Sequence, residues 1–378
     1  MVKKICFVLT AEFAVKAFLL NHLRALSNFY EVTLIVNTNN PNFLDELGIK
    51  AKVIPLTIAR DINLISDFSC LTKLIKIFRQ QKFSAVHSVT PKAGLLAMLA
   101  AWLVRVPLRT HTFTGQVWAT KVGLKRFLLK KIDCLIALLT TYNIVDSPSQ
   151  RQFLVDENVT TSAKSTVFAK GSISGVDTAR FKPNLQARES VRQQLNISAD
   201  AILFLFLGRL TRDKGVLDLA QAFISLQKGY AHLLFVGPDE QNLQAEIMSV
   251  SGIDNPNVHL VGHTDKPESF MAAADILCLP SYREGFGTVV IEAAAVGIPT
   301  IASRIYGLTD AVVDGKTGLL HEPRDISAIK VCMEKMMTNQ AVRLKFGEQA
   351  QARAVKEFDS KLITQAWVDF YRENVKTK

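Results

Sequence analysis

Two basic residues in the C-terminal half of the chain stand on a short segment between glycines. Arg209 and Lys214 lie within Gly208–Gly215, directly after the apolar run Ile202–Leu207 and before a helical pattern. A segment in that position forms a strand-to-helix turn, where a guanidinium fork and an ammonium group can converge on a diphosphate. The alternative is that both side chains are simply solvated, as basic residues on loops usually are.

A second segment, 280–296, combines two carboxylates with two glycines. Glu284 precedes a predicted helix and Glu292 lies about one turn inside it, so the two carboxylates can reach opposite ends of one elongated ligand. Gly285 and Gly287 let backbone N–H groups approach an oxygen-rich ligand, and the start of the helix offers a partial positive charge to a phosphate. Two glutamates at this spacing are a common pattern, and by themselves they would place Glu292 on a solvated helix face. The run Ala293–Ala295, which directly follows Glu292, indicates close packing instead.

No Asp-x-Asp motif occurs in the chain. That motif is the usual carboxylate pair that holds a divalent cation on a nucleotide diphosphate. We therefore expect no metal site and no bound cofactor, and we expect Arg209 and Lys214 to neutralise the diphosphate instead.

Three stretches in the C-terminal half together resemble the donor-binding half of the family 4 retaining glycosyltransferases. They are Gly208–Gly215, the segment 281–303 (SYREGFGTVVIEAAAVGIPTIAS) and Val313–Leu320 (VDGKTGLL). The resemblance covers most of residues 200–375, and the joint order of the three motifs is far more specific than any one of them.

Three further stretches lie upstream, at His87–Gly94, Arg109–Thr112 and Gly171–Asp177. They resemble the branch of this family that builds capsule and O-antigen repeat units on a polyprenyl-diphosphate lipid. The first strand-to-helix turn, Thr10–Val15, departs from the pattern of many relatives because it lacks their glycines. The resemblance therefore does not predict the geometry of the acceptor side of the site.

The family resemblance implies an α/β fold of GT-B type, in which two Rossmann-like domains face each other across a cleft. It implies that Arg209 and Lys214 bind the diphosphate, that Glu284 faces the sugar and that Glu292 binds the ribose. The donor-binding residues expected on this basis are Gly208, Arg209, Lys214, Glu284, Gly285, Phe286, Gly287, Thr288 and Glu292. The resemblance also implies a hexosyl transfer that retains the anomeric configuration.

His111 stands at the end of the predicted strand Leu108–Thr112. It resembles the histidine of the family's N-terminal domain that faces the donor sugar across the cleft. The expected catalytic residues are therefore His111, Glu284, Arg209 and Lys214. Judged from the residues alone, a single histidine at a strand end is as often structural.

Short β-branched and aromatic runs alternate with amphipathic stretches along the whole chain, which indicates parallel sheets wrapped by helices. The predicted strands are 4–9, 32–37, 52–55, 85–87, 108–112, 142–145, 202–207, 232–236, 259–261, 276–279 and 300–302. The segment 171–184 is rich in Gly, Ser and Pro and is assigned as the domain linker. We expect an acceptor-binding domain at 1–175, a donor-binding domain at 176–360, and a helix at 361–378 that crosses back to the first domain.

The net charge of +11 is confined to one half of the chain. Residues 1–178 hold 22 Lys and Arg against 11 Asp and Glu, whereas residues 179–378 hold 23 of each kind. A basic domain beside a neutral one fits a nucleic acid, an anionic membrane surface or an acidic lipid-linked substrate.

A basic amphipathic segment lies at Lys121–Lys131 (KVGLKRFLLKK). Such a helix can lie on an anionic membrane with its apolar side chains in the lipid, although a solvated helix packed on its own domain is the alternative. The residues assigned to the membrane or acceptor on this basis are Lys121, Lys125, Arg126, Lys130 and Lys131.

The five cysteines are far apart and form no Cys-x-x-Cys pair, which fits a reducing compartment. The N-terminus is unlike a signal peptide, and the longest apolar runs are shorter than the roughly 18 to 20 residues that a spanning helix needs. We therefore expect a cytoplasmic protein that is peripheral to the inner face of the plasma membrane. Its expected partners are a nucleotide-sugar donor, a lipid-linked saccharide acceptor and an anionic membrane surface, but no nucleic acid.

Three other functions are compatible with parts of this pattern. A sugar-nucleotide 2-epimerase of GT-B fold would use the same donor site without an acceptor. A non-catalytic subunit that binds sugar nucleotides is a second alternative, which the retention of all four charged donor residues disfavours. A nucleic-acid-binding protein would explain the pI of about 9.4, but no helix-turn-helix, zinc or base-stacking motif is recognisable.

Overall fold

The computed structural model describes residues 2–59, 63–226, 229–252 and 255–375. The chain divides into two units. Unit 1 contains the chain up to Gly175 and the segment from Ser360 onward, and unit 2 is Val176–Asp359. The division thus falls inside the segment assigned as the linker.

Each unit is built on one sheet in which all paired strands are parallel. The strands are β1 (Lys4–Val8), β2 (Glu31–Val36), β3 (Ala51–Pro55), β4 (Ala85–Ser88), β5 (Leu108–Phe113), β6 (Tyr142–Val145), β7 (Ser165–Thr166), β8 (Ile202–Leu207), β9 (Ala231–Val236), β10 (Val258–Val261), β11 (Ile276–Leu279), β12 (Thr300–Ser303) and β13 (Gly318–His321). The strand order is β3-β2-β1-β4-β5-β6-β7 in unit 1 and β10-β9-β8-β11-β12-β13 in unit 2.

Helices connect the strands, as parallel pairing requires. They are α1 (Glu12–Phe18), α2 (Leu20–Leu26), α3 (Phe43–Glu46), α4 (Leu64–Gln81), α5 (Pro91–Leu103), α6 (Gly123–Leu139), α7 (Pro148–Asp156), α8 (Leu185–Gln194), α9 (Val216–Ile224), α10 (Gln244–Ser251), α11 (Pro267–Ala273), α12 (Thr288–Val296), α13 (Leu308–Ala311), α14 (Ile326–Thr338), α15 (Gln340–Glu357) and α16 (Ser360–Asn374). Short 3-10 helices lie at Val117–Thr120, Ser162–Lys164 and Arg212–Lys214.

The strands predicted at 142–145, 202–207 and 276–279 have the predicted bounds. The strand predicted at 32–37 is shifted by one residue at both ends, and each of the other predicted strands differs by one residue at one end. Strand β8 (ILFLFL) is buried almost throughout because helices cover both faces of a parallel sheet. Strands β7 and β13 were not predicted. β7 has two residues, too few to show a periodicity. β13 begins with Gly318, and glycine is depleted in strands.

The last helix, α16, completes the core of unit 1. Trp367 is buried, its indole N–H donates to the carbonyl of Ile173 at 3.1 Å, and its ring stacks on His22 at 4.6 Å between centroids. The Tyr371 hydroxyl is 2.8 Å from Nδ1 of His87. The helix was expected at 361–378, and the last three residues of that range lie outside the described residues.

Candidate active site

The Gly208–Gly215 segment forms a turn between β8 and α9 whose shape depends on a glycine. Gly215 has φ +68°, and a Cβ atom at this position would lie 2.2 Å from the carbonyl oxygen of Pro280. Only a residue without a side chain fits this close approach without strain. The turn is thereby held against the residue that follows strand β11, which is the neighbour of β8 in the sheet.

This approach brings together two of the predicted site residues. The ammonium group of Lys214 forms an ion pair with the carboxylate of Glu284, and both side chains are largely shielded from solvent. The Ser281 hydroxyl donates to the same carboxylate at 2.8 Å. A cation and an anion suited to a diphosphate and to sugar hydroxyls therefore lie side by side at the carboxyl ends of two adjacent strands, where ligands bind in α/β sheets.

Arg209 points to a different carboxylate. Its guanidinium is 2.8 Å from Oε2 of Glu240, and both side chains are exposed. Sequence reasoning missed Glu240. The available signal was its position just after β9, since β9 pairs with β8 and its carboxyl end lies at the same edge of the sheet.

The second glycine-rich segment leads into helix α12. Gly287 has φ +82°, and a Cβ atom there would lie 2.6 Å from the side chain of Leu308, so this position also requires glycine. The helix begins at Thr288. The Phe286 side chain is buried and packs on Phe358 at 5.2 Å, so residues 286–288 offer a ligand backbone N–H groups rather than the phenyl ring.

Glu292 lies half-buried on α12 among alanines that pack in the core of unit 2, as the run Ala293–Ala295 indicated. Burial raises the pKa of the Glu292 carboxyl to about 7, even though Arg180 acts in the opposite direction. The carboxyl is therefore partly protonated near neutral pH, and a hydrogen-bonding ligand that prefers the ionised form lowers its pKa.

His111 belongs to unit 1 and is almost completely buried within β5, two residues before the last residue of the strand, Phe113. Its Nδ1 atom is 2.8 Å from the Ser88 hydroxyl on β4. Gly94 makes room for the ring, because a Cβ atom there would lie 2.5 Å from Cε1 of His111. Burial lowers the pKa of the imidazole to about 3, so the ring is neutral at physiological pH and offers one donor and one acceptor.

The basic residues of helix α6 separate into two groups. Arg126 and Lys130 pair with Glu157 at 2.7 and 2.6 Å, and both lie over the ring of Trp118. Lys125 and Lys131, in contrast, are exposed, and Lys121 is half-exposed before the helix begins. The five residues assigned together from the sequence therefore do not form one cationic surface.

Among the described residues, no helix is both long and apolar enough to cross a bilayer. In the same part of the chain, no three His, Cys, Asp or Glu side chains are grouped so that they would hold a metal ion.

Comparisons with known proteins agree with this architecture. Residues 187–353 match the family of glycosyl transferases group 1, and residues 4–138 match the glycosyl transferase 4-like family. The capsular polysaccharide biosynthesis glycosyltransferase CapM of Staphylococcus aureus is 34% identical over 86% of this chain and 86% of its own. The UDP-Gal:α-D-GlcNAc-diphosphoundecaprenol α-1,3-galactosyltransferase of Escherichia coli is 27% identical over 79% of this chain and 78% of its own.

Among solved structures, the fold is similar to that of Anabaena HepE in complex with UDP and glucose, with a TM-score of 0.82 and 17% identity over 98% of this chain and 100% of that chain. The chain belongs to the family 4 glycosyltransferases, and it is a glycosyltransferase. The predicted family, its resemblance to the capsule and O-antigen branch, and the α/β fold of GT-B type are confirmed.

Proposed function

We propose that this glycosyltransferase moves a hexose or an N-acetylhexosamine from a UDP-sugar to a polyprenyl-diphosphate-linked saccharide during capsule or O-antigen biosynthesis. The names of the Staphylococcus aureus and Escherichia coli relatives support the pathway and the kind of acceptor. The main support for a donor site is the ion pair between Lys214 and Glu284 at the carboxyl ends of β8 and β11. Arg209 lies in the same turn as Lys214.

In this proposal the diphosphate of the donor takes over the cation that Glu284 now neutralises. Lys214 and Arg209 then face phosphate oxygens, and the backbone N–H groups at the start of α12 add a partial positive charge. Glu284, released from its ion pair, accepts hydrogen bonds from sugar hydroxyls. Ser281 keeps one carboxylate oxygen in place during this exchange.

The chemical step breaks the bond between the anomeric carbon and the diphosphate oxygen, and the electron pair of that bond goes to the leaving diphosphate. An acceptor hydroxyl attacks the same face through a transition state that resembles an oxocarbenium ion. The departing phosphate oxygen takes the proton of that hydroxyl, so the anomeric configuration is retained. Arg209 and Lys214 stabilise the charge that grows on the leaving group, which is where preorganised electrostatics contributes most.

His111 is proposed as the catalytic residue of unit 1, in line with the family resemblance. Because its ring is neutral, it acts as a hydrogen-bond partner for a sugar hydroxyl rather than as a cation. The hydrogen bond between its Nδ1 and the Ser88 hydroxyl fixes the orientation of the ring. In functional histidines, the bond made by one ring nitrogen usually sets the role of the other.

We also propose that the reaction needs no metal ion and takes place at the cytoplasmic face of the membrane. The first proposal is supported by two cations in the donor segment, and the second by the exposed Lys125 and Lys131 next to apolar side chains on α6. Anionic lipid attracts such residues, each worth on the order of 1 kcal/mol near the surface.

The decisive experiment incubates the purified protein with a panel of UDP- and GDP-sugars and synthetic polyprenyl-diphosphate saccharides, and identifies products by mass. Transfer from a UDP-sugar to the lipid-linked saccharide supports the proposal. Transfer only from GDP-sugars or only to water-soluble sugars contradicts it. Conversion of the donor to an isomer without any acceptor, followed by NMR, would identify a 2-epimerase instead.

A further inference from the structure

Tyr282 joins the two turns that carry the donor residues, and no role assigned so far uses it. Its hydroxyl donates to Oδ2 of Asp218 at 2.6 Å, and Asp218 lies in the first turn of α9. Its backbone N–H donates to the carbonyl of Asp213 at 2.8 Å. Asp213 directly precedes Lys214 and Asp218 follows it by four residues, so Tyr282 holds the turn on both sides of the lysine.

The bond between the Tyr282 hydroxyl and the Asp218 carboxylate is a strong one. Charge-assisted bonds from a hydroxyl to a carboxylate are roughly 2.5 to 2.7 Å long and about twice as strong as neutral ones, and the observed distance of 2.6 Å falls in this range. Burial, together with the Asp218 carboxylate, raises the pKa of the Tyr282 hydroxyl. The hydroxyl therefore keeps its proton and remains a donor at neutral pH.

A third segment holds the ring of Tyr282 in place. The guanidinium of Arg324, in the segment after β13, lies over the ring at 4.7 Å from its centroid, and a cation over an aromatic face is attracted to it. Arg324 itself has φ +67°, a backbone conformation that residues other than glycine adopt uncommonly and that often marks a functional position. The ring is thus held by the segment after β13 while its hydroxyl bonds to α9.

These contacts differ from the ion pair between Lys214 and Glu284 in one respect. In the proposed function the donor displaces that pair, whereas Tyr282 bonds to Asp218 and to a backbone carbonyl, neither of which belongs to the proposed donor-binding set. The Tyr282 contacts therefore persist while Lys214 and Glu284 change partners. Preorganised charges stabilise a transition state because they need not move during the reaction, and a displacement of about 1 Å can cost on the order of 100-fold in rate.

We infer that Tyr282 and Asp218 are positioning residues of the donor site, whose hydrogen bond keeps Lys214 and Glu284 at the separation that a diphosphate and its sugar require. The inference rests on the proposed function. In this role neither Tyr282 nor Asp218 contacts the donor, and both act through the position of Lys214. UDP carries the full charge of the departed leaving group, so a contact that stabilises this group also strengthens the binding of UDP.

Tyr282→Phe removes only the hydroxyl and keeps the ring for Arg324. The N–H bond to Asp213 and the pair between Arg283 and Asp213 at 3.5 Å remain, so the variant should fold with a Tm close to that of wild type. We expect kcat for release of UDP from a UDP-sugar to fall about tenfold and the Kd for UDP to rise by a similar factor, which is the scale of one hydrogen bond to a charged group. KM for the UDP-sugar should change by less than about threefold, because the contact matters most once charge has moved to the leaving group.

Two substitutions of Asp218 test the other end of the bond. Asp218→Ala should reproduce the loss in Tyr282→Phe, and the two changes together should cost no more than either alone, because they remove the same bond. Asp218→Asn keeps an acceptor oxygen for the hydroxyl and should retain at least about half of wild-type turnover.

A second double-mutant cycle shows whether Tyr282 acts through Lys214. In the Lys214→Met background, Tyr282→Phe should change kcat and the Kd for UDP by less than about twofold, because the side chain that Tyr282 positions no longer carries a charge. A contribution to structure alone would multiply, and the double variant would lose a further factor of about ten. Tyr230→Phe is the matched control, since Tyr230 directly precedes β9 and thus lies at the amino end of a strand, whereas the donor turns lie at carboxyl ends.

Multiplicative losses in the double variant, or wild-type kcat and Kd in Tyr282→Phe, would overturn the inference. Transfer to lipid-linked saccharide and the binding of GDP are measured in parallel with the same proteins. Normal transfer by wild type together with a multiplicative cycle leaves the proposed function standing without this role for Tyr282. A non-additive cycle in UDP binding without transfer does the reverse, and a wild-type protein that binds neither UDP nor GDP overturns both.

Discussion

The Lys214 ammonium and the Glu284 carboxylate form an ion pair although 70 positions separate them in the chain. The pair joins the turn after β8 to the turn after β11, two strands that are neighbours in the sheet of unit 2. The two side chains proposed to bind opposite parts of the donor therefore neutralise each other before the donor arrives. When the donor binds, Lys214 must exchange Glu284 for phosphate oxygens, and Glu284 must exchange Lys214 for the hydroxyl groups of the sugar.

Lys214→Met keeps the length of the side chain and removes its charge. Charge on the leaving diphosphate is greater in the transition state than in the bound donor, so the loss should fall on kcat more than on KM. We expect kcat to fall on the order of 100-fold to 1000-fold. The free energy of unfolding should fall by about 1 kcal/mol, because a partly shielded ion pair is lost. Steady-state kinetics and denaturant unfolding measure the two effects, and wild-type turnover in a folded variant would remove Lys214 from the diphosphate site.

Glu240→Gln should strengthen donor binding. Glu240 pairs with Arg209 at 2.8 Å, so its carboxylate competes with the diphosphate for the guanidinium. An exposed pair is worth about 0.2 to 1 kcal/mol, and we expect the Kd for UDP to fall by up to about fivefold at low salt. Glu246→Gln is the matched control, since Glu246 pairs with Arg212 at 2.6 Å outside the proposed donor set. If both variants bind UDP alike, Arg209 does not contact the diphosphate.

Glu292 should make both stability and donor affinity depend on pH. Its pKa is raised from 4.5 to about 7 in the folded protein, so the folded state binds more protons than the unfolded state between these values. The free energy of unfolding should therefore decrease as pH rises from about 4.5 to 7. Glu292→Gln should flatten this part of the profile, as chemical denaturation at several pH values will test.

The same residue should make the affinity for a UDP-sugar rise from pH 6 to pH 8. The ionised carboxylate accepts stronger hydrogen bonds from ribose hydroxyls than the protonated form does, and the diphosphate of a UDP-sugar stays ionised throughout this range. In Glu292→Gln the affinity should be lower and independent of pH. A wild-type affinity without pH dependence would place the ribose elsewhere.

Two pairs of basic residues on α6 should behave differently. Lys125 and Lys131 are exposed, and changing both to Gln should weaken binding to vesicles with anionic lipid, an attraction that salt screens over about 10 Å at 0.1 M. The matched control changes Arg126 and Lys130 to Gln. Because these two bind Glu157 and cover Trp118, the control should lower Tm and affect vesicle binding less. The reverse pattern in vesicle flotation and thermal melting would move the membrane surface away from the outer face of α6.

Transfer should survive removal of divalent cations. Arg209 and Lys214 supply two positive charges at the proposed diphosphate site, which is the neutralisation that a metal ion provides in other nucleotide-sugar enzymes. Assays in excess EDTA should retain at least half of the activity measured with added magnesium or manganese. A strict requirement for either ion would contradict the proposed site.

The amino-acid sequence by itself determined most of the strands, the positions of the glycine turns and the family. Buried parallel strands such as β8 are continuous apolar runs, and Gly215 and Gly287 adopt backbone conformations that other residues rarely take. Both kinds of signal are local, so they can be recognised without knowing what lies opposite. The joint order of the motifs along the chain added the family and its activity by resemblance.

The tertiary structure alone decided which charges are paired and how the two donor turns are joined. The sequence grouped Arg126 with Lys125, but Arg126 pairs with Glu157, which directly follows helix α7, whereas Lys125 is exposed. Likewise, Glu240 meets Arg209 only because β9 lies beside β8 in the sheet. An ion pair or a hydrogen bond between two turns depends on which elements pack together, and this information is spread over distant segments that have no period or spacing in common.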